Sequence, residues 1–244
     1  MKKLAGVTLF LIALLLFTSG CGFLGNLVRG SGTLASEERQ VQGIRAVDLT
    51  TEGDLTIELG DQESLRIEAE DNLLPYLETK VQGGTLMIGT RMNTELFPTQ
   101  PIRYILVVPS LEALSVTSSG NIDAPALAAA QLKIEASSSG DVHLAGLTAD
   151  RLEVRISSSG NVAIDGGEVS EQTITVSSSG EYTSPDLLSQ SADIRVTSSG
   201  HATVWVTGRL DANLSSSGNI NYYGSPQVSL QTSSSGNAVS MGDK

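Results

Sequence analysis

Side chains that recur at a fixed interval are the first place to look for chemistry, and in this chain they are hydroxyls. The blocks TSSGN, SSSGD, SSSGN, SSSGE, TSSGH, SSSGN and SSSGN begin at residues 117, 137, 157, 177, 197, 215 and 233. A serine becomes a nucleophile only beside a base, and no G-x-S-x-G elbow or comparable activated arrangement accompanies any block. Polysaccharide cleavage would need paired carboxylates, often with calcium, presented at one position of the repeat. The acids here are scattered over Glu135, Asp141, Glu153, Asp165, Glu168, Glu171, Glu181, Asp186 and Asp193. Asp141 and Glu181 share a repeat position, but Asn161 stands between them. His143 and His201 fall at different offsets and read as surface residues. The calcium-binding G-G-x-G-x-D pattern is absent, and a single cysteine excludes a disulfide or a Cys-based zinc site. The residues therefore predict no catalysis, no metal and no cofactor. A polysaccharide-acting enzyme and a purely structural envelope protein remain as alternatives.

The lone cysteine, Cys21, carries a different chemistry. Lys2 and Lys3 precede an apolar run from Leu4 to Phe17, then Thr18-Ser19-Gly20 lead to Cys21. This is the layout of a secretory signal, too short for a typical transmembrane helix. The small residues before Cys21 resemble a bacterial lipobox, although Thr18 stands where Leu is usual; an inert buried cysteine is the alternative. Residues 1–20 are thus expected to be a signal peptide and Cys21 the lipidated anchor, with a flexible Gly/Ser-rich tether to residue 40. The protein would sit in the cell envelope, facing away from the cytoplasm, and in the outer membrane of a Gram-negative host. The formal charge is −12, and removal of Lys2 and Lys3 leaves 27 acids against 13 bases. Nucleic acid is a poor partner for such a chain.

The elements that position the hydroxyls follow from the same interval. The block glycines Gly120, Gly140, Gly160, Gly180, Gly200, Gly218 and Gly236 lie 20, 20, 20, 20, 18 and 18 residues apart. A constant period of this length is the signature of a repeat architecture. Six and four residues before each glycine, thirteen of fourteen positions are apolar, as in Val154/Ile156 and Ile174/Val176. The intervening positions are polar, among them Glu135, Arg155 and Arg195. Alternation of period two means a strand with one buried and one wet face. Such a strand cannot bury its face alone, so equivalent strands must stack. The expected fold is all-β, a right-handed parallel β-helix with rungs of 18–20 residues about 4.8 Å apart. One domain is expected over residues 41–244, less regular over 41–110 and regular over 111–240. IRAVDLTTEGDLTIEL supplies a fainter rung around Gly53.

Carried through the blocks, the alternation turns Ser118, Ser138, Ser158, Ser178, Ser198, Ser216 and Ser234 inward. They would form a hydroxyl ladder at a corner, with the following glycine supplying a backbone conformation that L-residues avoid. Ser119, Ser139, Ser159, Ser179, Ser199, Ser217 and Ser235 would point out. That column could bind an ordered repeating ligand, such as a glycan or ice, or be no more than a solvated face. Trp205 and Tyr223 have outward parity and could stack on a sugar, or lie partly buried against a turn. Tyr222 has inward parity.

The stretches GSGTLASEERQVQGIRAVDLTTEGDLTIEL and EDNLLPYLETKVQGGTLMI, followed by the S-S-G rungs, resemble the head GIN domain family of auto-transporter adhesins. The similarity covers about residues 30–240. It implies a secreted or surface-anchored parallel β-helix, often on a lipoprotein. Separately, a long, neutral-to-acidic polar surface on a tether would suit binding of a glycan or a protein. No catalytic residue comes with the resemblance.

Overall fold

The computed structural model describes residues 26–233 and 235–244. Its regular part is a parallel β-solenoid of about six turns. In chain order the first strands are β1 (Asn26–Arg29), β2 (Leu34–Arg39), β3 (Ala46–Leu49), β4 (Asp54–Leu59) and β5 (Ser64–Glu70). After one 3-10 turn (Leu74–Tyr76) come β6 (Leu77–Gln82), β7 (Thr85–Thr90), β8 (Thr94–Phe97) and β9 (Arg103–Val108). The repeats follow as β10 (Ala113–Val116), β11 (Asn121–Ala136), β12 (Asp141–Ile156), β13 (Asn161–Ile164) and β14 (Gly167–Val176). Then come β15 (Glu181–Val196), β16 (His201–Leu214), β17 (Asn219–Tyr223), β18 (Gln227–Thr232) and β19 (Asn237–Ser240).

Each full rung has three faces, and burial parity marks the corners. Within β11 the buried positions are Ile122 and Ala124, then Leu127, then Leu132, Ile134 and Ala136. Parity switches twice, and the pairing of β11 with β12 skips residues 125 and 130 at those two places. Residues 121–124 and their equivalents form face A, 126–129 face B, and 131–136 face C. On face C the inward column Ile134, Val154, Ile174, Ile194 and Ala212 is in strict register and fully buried. The column continues to Leu230, which is 44% exposed because no further rung among the described residues covers it. The core thus ends one rung before the repeat does.

The first part of the domain departs from simple stacking. TLMIGT (β7) pairs parallel to β3, whereas SLRIEA lies in β5, which runs antiparallel to both β9 and β2. β6 and β7 form an antiparallel hairpin.

The segment read as a tether contains β1 and β2. β1 pairs with β8, and Val28 and Ala35 pack against the core. Gly30 is there for space and Gly32 for its backbone conformation. A Cβ on Gly30 would sit 1.9 Å from the Glu70 carboxylate, and Gly32 has φ +82°. Glu70 is enclosed and accepts hydrogen bonds from the backbone N–H of Gly32, Thr99 and Gln100 and from Thr99 Oγ1. Asn72 accepts from Ser31 N–H and donates to the Arg29 carbonyl. The Glu70-Asp71-Asn72 stretch is therefore a clamp on residues 29–33.

Candidate ligand-binding groove

The serine blocks form the corner between faces C and A, with the roles of serine and glycine exchanged relative to the sequence reading. Ser138, Ser158, Ser178, Ser198 and Ser216 have φ values of 61°, 61°, 62°, 60° and 58°. It is these middle serines, not the glycines, that adopt the left-handed conformation. Their side chains are exposed and Ser118 is half-buried, so they form no inner ladder. Ser234 lies outside the described residues. Gly120, Gly140, Gly160, Gly180, Gly200 and Gly218 are buried at the corner, without positive φ; Gly236 is half-buried at the open end. The physical reason is that one left-handed residue interrupts the alternation: it throws its own side chain outward and brings the glycine into the inward place. There is no room for more, since a Cβ on Gly180 would lie 2.5 Å from Ile156 Cγ2.

Backbone hydrogen bonds recur at every turn, joined by hydroxyls only at Ser138, which donates to the Thr117 carbonyl, and Ser177, which donates to the Ile156 carbonyl, among the described residues. The N–H groups of Ser159, Ser179, Ser199 and Ser217 donate to the carbonyls of Ser138, Ser158, Ser178 and Ser198, at 2.8–2.9 Å. The N–H of each block's first residue, as in Ser157 to Ala136 and Ser177 to Ile156, is bonded in the same way. The outward column Ser119, Ser139, Ser159, Ser179, Ser199, Ser217 and Ser235 is exposed on the turn ridge.

A hollow runs beside that ridge. The outward column of face C nearest the turn is Glu135, Arg155, Thr175, Arg195, Asn213 and Gln231, in register across six rungs. Together with the first hydroxyls of the blocks it lines two cavities. One, of about 310 Å³, is bounded by Thr117, Ser137, Ser157 and Ser177 with Glu135, Arg155 and Thr175. The other, of about 320 Å³, is bounded by Thr197, Ser215 and Ser233 with Arg195, Asn213 and Gln231. Ala136, Ile156 and Leu214, whose side chains are buried in the core, close the bottom of the hollows. Arg155 is held by Glu153 at 2.8 Å, whereas Arg195 makes no ion pair among the described residues. Both cavities lie on one line along the solenoid. This set of hydroxyls, amides and guanidinium groups can hydrogen-bond and stack a polar chain laid parallel to the axis.

The other candidates are placed as follows. Trp205 and Tyr223 are half-buried neighbours in adjacent rungs. Lys244 covers them, with Nζ 4.5 Å from the Tyr223 ring centroid and 5.9 Å from that of Trp205, while paired with Asp186. They do not form an open stacking surface with the serine corner. Tyr222 is also half-buried. His143, read as a surface residue, is half-buried and lies between Asp123 (3.3 Å) and Asp165 (3.0 Å). Its pKa is raised, chiefly by the hydrogen bond to Asp165. The Asp123 contact was legible, because both residues stand three after a block glycine; Asp165, in a corner, was not. Among the described residues no group of three His, Cys, Asp or Glu could hold a metal ion, and no helix is long and apolar enough to cross a membrane. Cys21 and the apolar segment before it lie outside the described residues.

A family model described as "Putative auto-transporter adhesin, head GIN domain" matches residues 44–226. A crystal structure of a "putative lipid binding protein" from Parabacteroides distasonis is 25% identical, with TM-score 0.75, covering 90% of this chain and 100% of that one. A "putative adhesin" from Bacteroides fragilis is 21% identical, with TM-score 0.75 over 88% of this chain and 99% of that one. Another from Parabacteroides merdae is 20% identical, with TM-score 0.71 over 90% and 99%. No curated protein matches the chain.

Proposed function

Since this chain belongs to the head GIN domain family of auto-transporter adhesins, we propose that it is a non-catalytic, lipid-anchored binding module of the cell envelope, taking an extended glycan along the groove on face C. The anchor is Cys21, on the strength of the lipobox-like sequence around it. The observation that carries the ligand reading is the groove itself: one line of Ser/Thr hydroxyls backed by Glu135, Arg155, Thr175, Arg195, Asn213 and Gln231. A solenoid repeats its surface along its axis, and a polysaccharide repeats its sugars, so each additional residue of the ligand meets the same kinds of donors and acceptors. The groove is read as non-catalytic because its described lining holds a single carboxylate, Glu135, and no histidine.

The test is a glycan array probed with the purified chain, then with Arg195→Ala, Ser157→Leu and, as a control, Ser159→Leu on the ridge. Loss of signal for the first two with Ser159→Leu unchanged supports the groove. Retained binding in both groove variants places the ligand elsewhere, and a blank array with binding to a host or envelope protein would replace the glycan by a protein ligand.

A further inference from the structure

The two ends of the solenoid are built differently. The N-terminal end is closed by antiparallel strands that carry charge, β2 with Glu37, Glu38 and Arg39 and β6 with Glu78 and Lys80. Charges of this kind are how exposed sheet edges are kept from pairing with other chains. The other end is bounded by β18 and β19, and neither QVSLQT nor NAVS contains a charged residue. Every complete rung below has charges on face C: Lys133 and Glu135, then Arg151, Glu153 and Arg155, then Glu171, Asp193 with Arg195, and Arg209 with Asp211. The loss of charge thus coincides with the rung that is uncovered.

This rung also leaves apolar side chains open. Val228 (38% exposed) and Leu230 (44%) are in inward register with Leu210 and Ala212. Val239 is 40% exposed on β19. The chain that follows β19 does not fold over this end. Met241 and Gly242 pair with Tyr222 and Gly224 in the rung below, Asp243 accepts from Ser225, and Lys244 reaches down the side to Asp186.

We propose that this end is a homodimer interface, in which β18 pairs antiparallel with β18 of a second copy across a two-fold axis. A second copy is the occupant that the charge distribution favours. Two mature chains, each with 27 acids against 13 bases, repel over most of their surface, and an uncharged edge is where they can approach. A two-fold contact also requires a self-complementary patch. β18 provides one: with the axis at Ser229, Val228 of each copy lies opposite Leu230 of the other on the inner side, while Ser229 faces its own counterpart on the outer side. Paired in this way, the two solenoids form one continuous sheet on face C, with their N-terminal ends pointing apart.

The experiment is sedimentation equilibrium of the full chain in mild detergent over a concentration series, for wild type, Ser229→Lys and Ser229→Glu, alone and as an equimolar mixture. Like charges directly opposite each other across an antiparallel pair disfavour it, and opposite charges restore it. The expected result is a wild-type dimer that dissociates on dilution, loss of the dimer in each variant with an unchanged circular dichroism spectrum, and its return in the mixture. Three results would overturn the proposal: a wild type that stays monomeric throughout, leaving the edge to some other strand; a dimer untouched by either charge; or two monomeric variants that fail to associate when mixed.

Discussion

Exchange of roles between serine and glycine at the corner makes a sharp demand on two residues only two positions apart. Gly180 is buried, and an alanine there would place its Cβ 2.5 Å from Ile156 Cγ2 and 3.1 Å from the Gly160 carbonyl oxygen. Ordinary carbon–carbon contact lies near 3.5–4.0 Å, so a shift of about 1 Å is needed where backbone hydrogen bonds run through every neighbouring turn. Overpacking of a tight core costs about 1–3 kcal/mol. Ser178, by contrast, is exposed with φ +62°. The left-handed conformation costs about 1–2 kcal/mol for an L-residue whichever side chain it bears, so Ser178→Leu should change stability by no more than about 0.5 kcal/mol, the usual range for an exposed site. Ser178→Gly should even stabilise slightly, since the conformation is free for glycine. Thermal melts followed by circular dichroism separate the cases: Gly180→Ala should lower Tm by several degrees, at roughly 2–4 °C per kcal/mol for a domain of this size. A silent Gly180→Ala together with an unfolded Ser178→Leu would mean that the serine, not the glycine, faces inward, and the corner geometry would have to be abandoned.

Further expectations test the remaining layers. Ile156→Asp puts an unpaired charge in a fully enclosed column and should destabilise by several kcal/mol, while Arg155→Asp on the wet side of the same strand should cost little; equal losses by chemical denaturation would contradict the three-faced core. Glu70 has its carboxyl held below the usual carboxylate range, first by the Thr99 hydroxyl and further by backbone N–H groups, against the opposing effect of burial. Its contribution is therefore present above the ordinary carboxylate pKa and lost as pH falls through the lowered folded value. Glu70→Gln should lower stability at neutral pH and flatten the acid limb of a Tm-against-pH curve; an unchanged acid limb removes Glu70 from the clamp. Cys21→Ser should abolish labelling by a radioactive fatty acid and release the protein from membranes, and a variant that stays anchored as before refutes the lipid anchor.

Most of the solenoid was legible because its code is local. The alternation of Val154 and Ile156 with Arg155, repeated at a fixed interval, fixes both the strand and its stacking partner, since only equivalent positions can share one register. Three features were not legible, each for a physical reason. Parity counting cannot see a left-handed residue, so it carried the alternation past Ser158 and put the wrong side chain inside. Composition cannot separate a glycine needed for freedom from one needed for space, so Gly30, which makes room for Glu70, read as part of a tether. The period describes a rung but not what lies over it, so the apolar position at Leu230 ranked with the inward ones although no described rung covers it. The groove lay between these cases: its residues were visible as polar positions of face C and as the first hydroxyl of each block, but only the turn geometry shows that these, rather than the ridge serines, share a hollow.

The central claim is that the ligand lies along the solenoid axis, and its most direct test is the dependence of affinity on ligand length. The first hydroxyls from Thr117 to Ser233 span seven rungs, about 29 Å at a rung spacing of about 4.8 Å. For whichever glycan the array identifies, titration calorimetry with oligomers of increasing length should show affinity rising until the oligomer reaches roughly that span, with the increase removed by Arg155→Ala combined with Arg195→Ala. An affinity that is already complete with one or two sugars, or a length dependence indifferent to both arginines, would contradict binding along the groove.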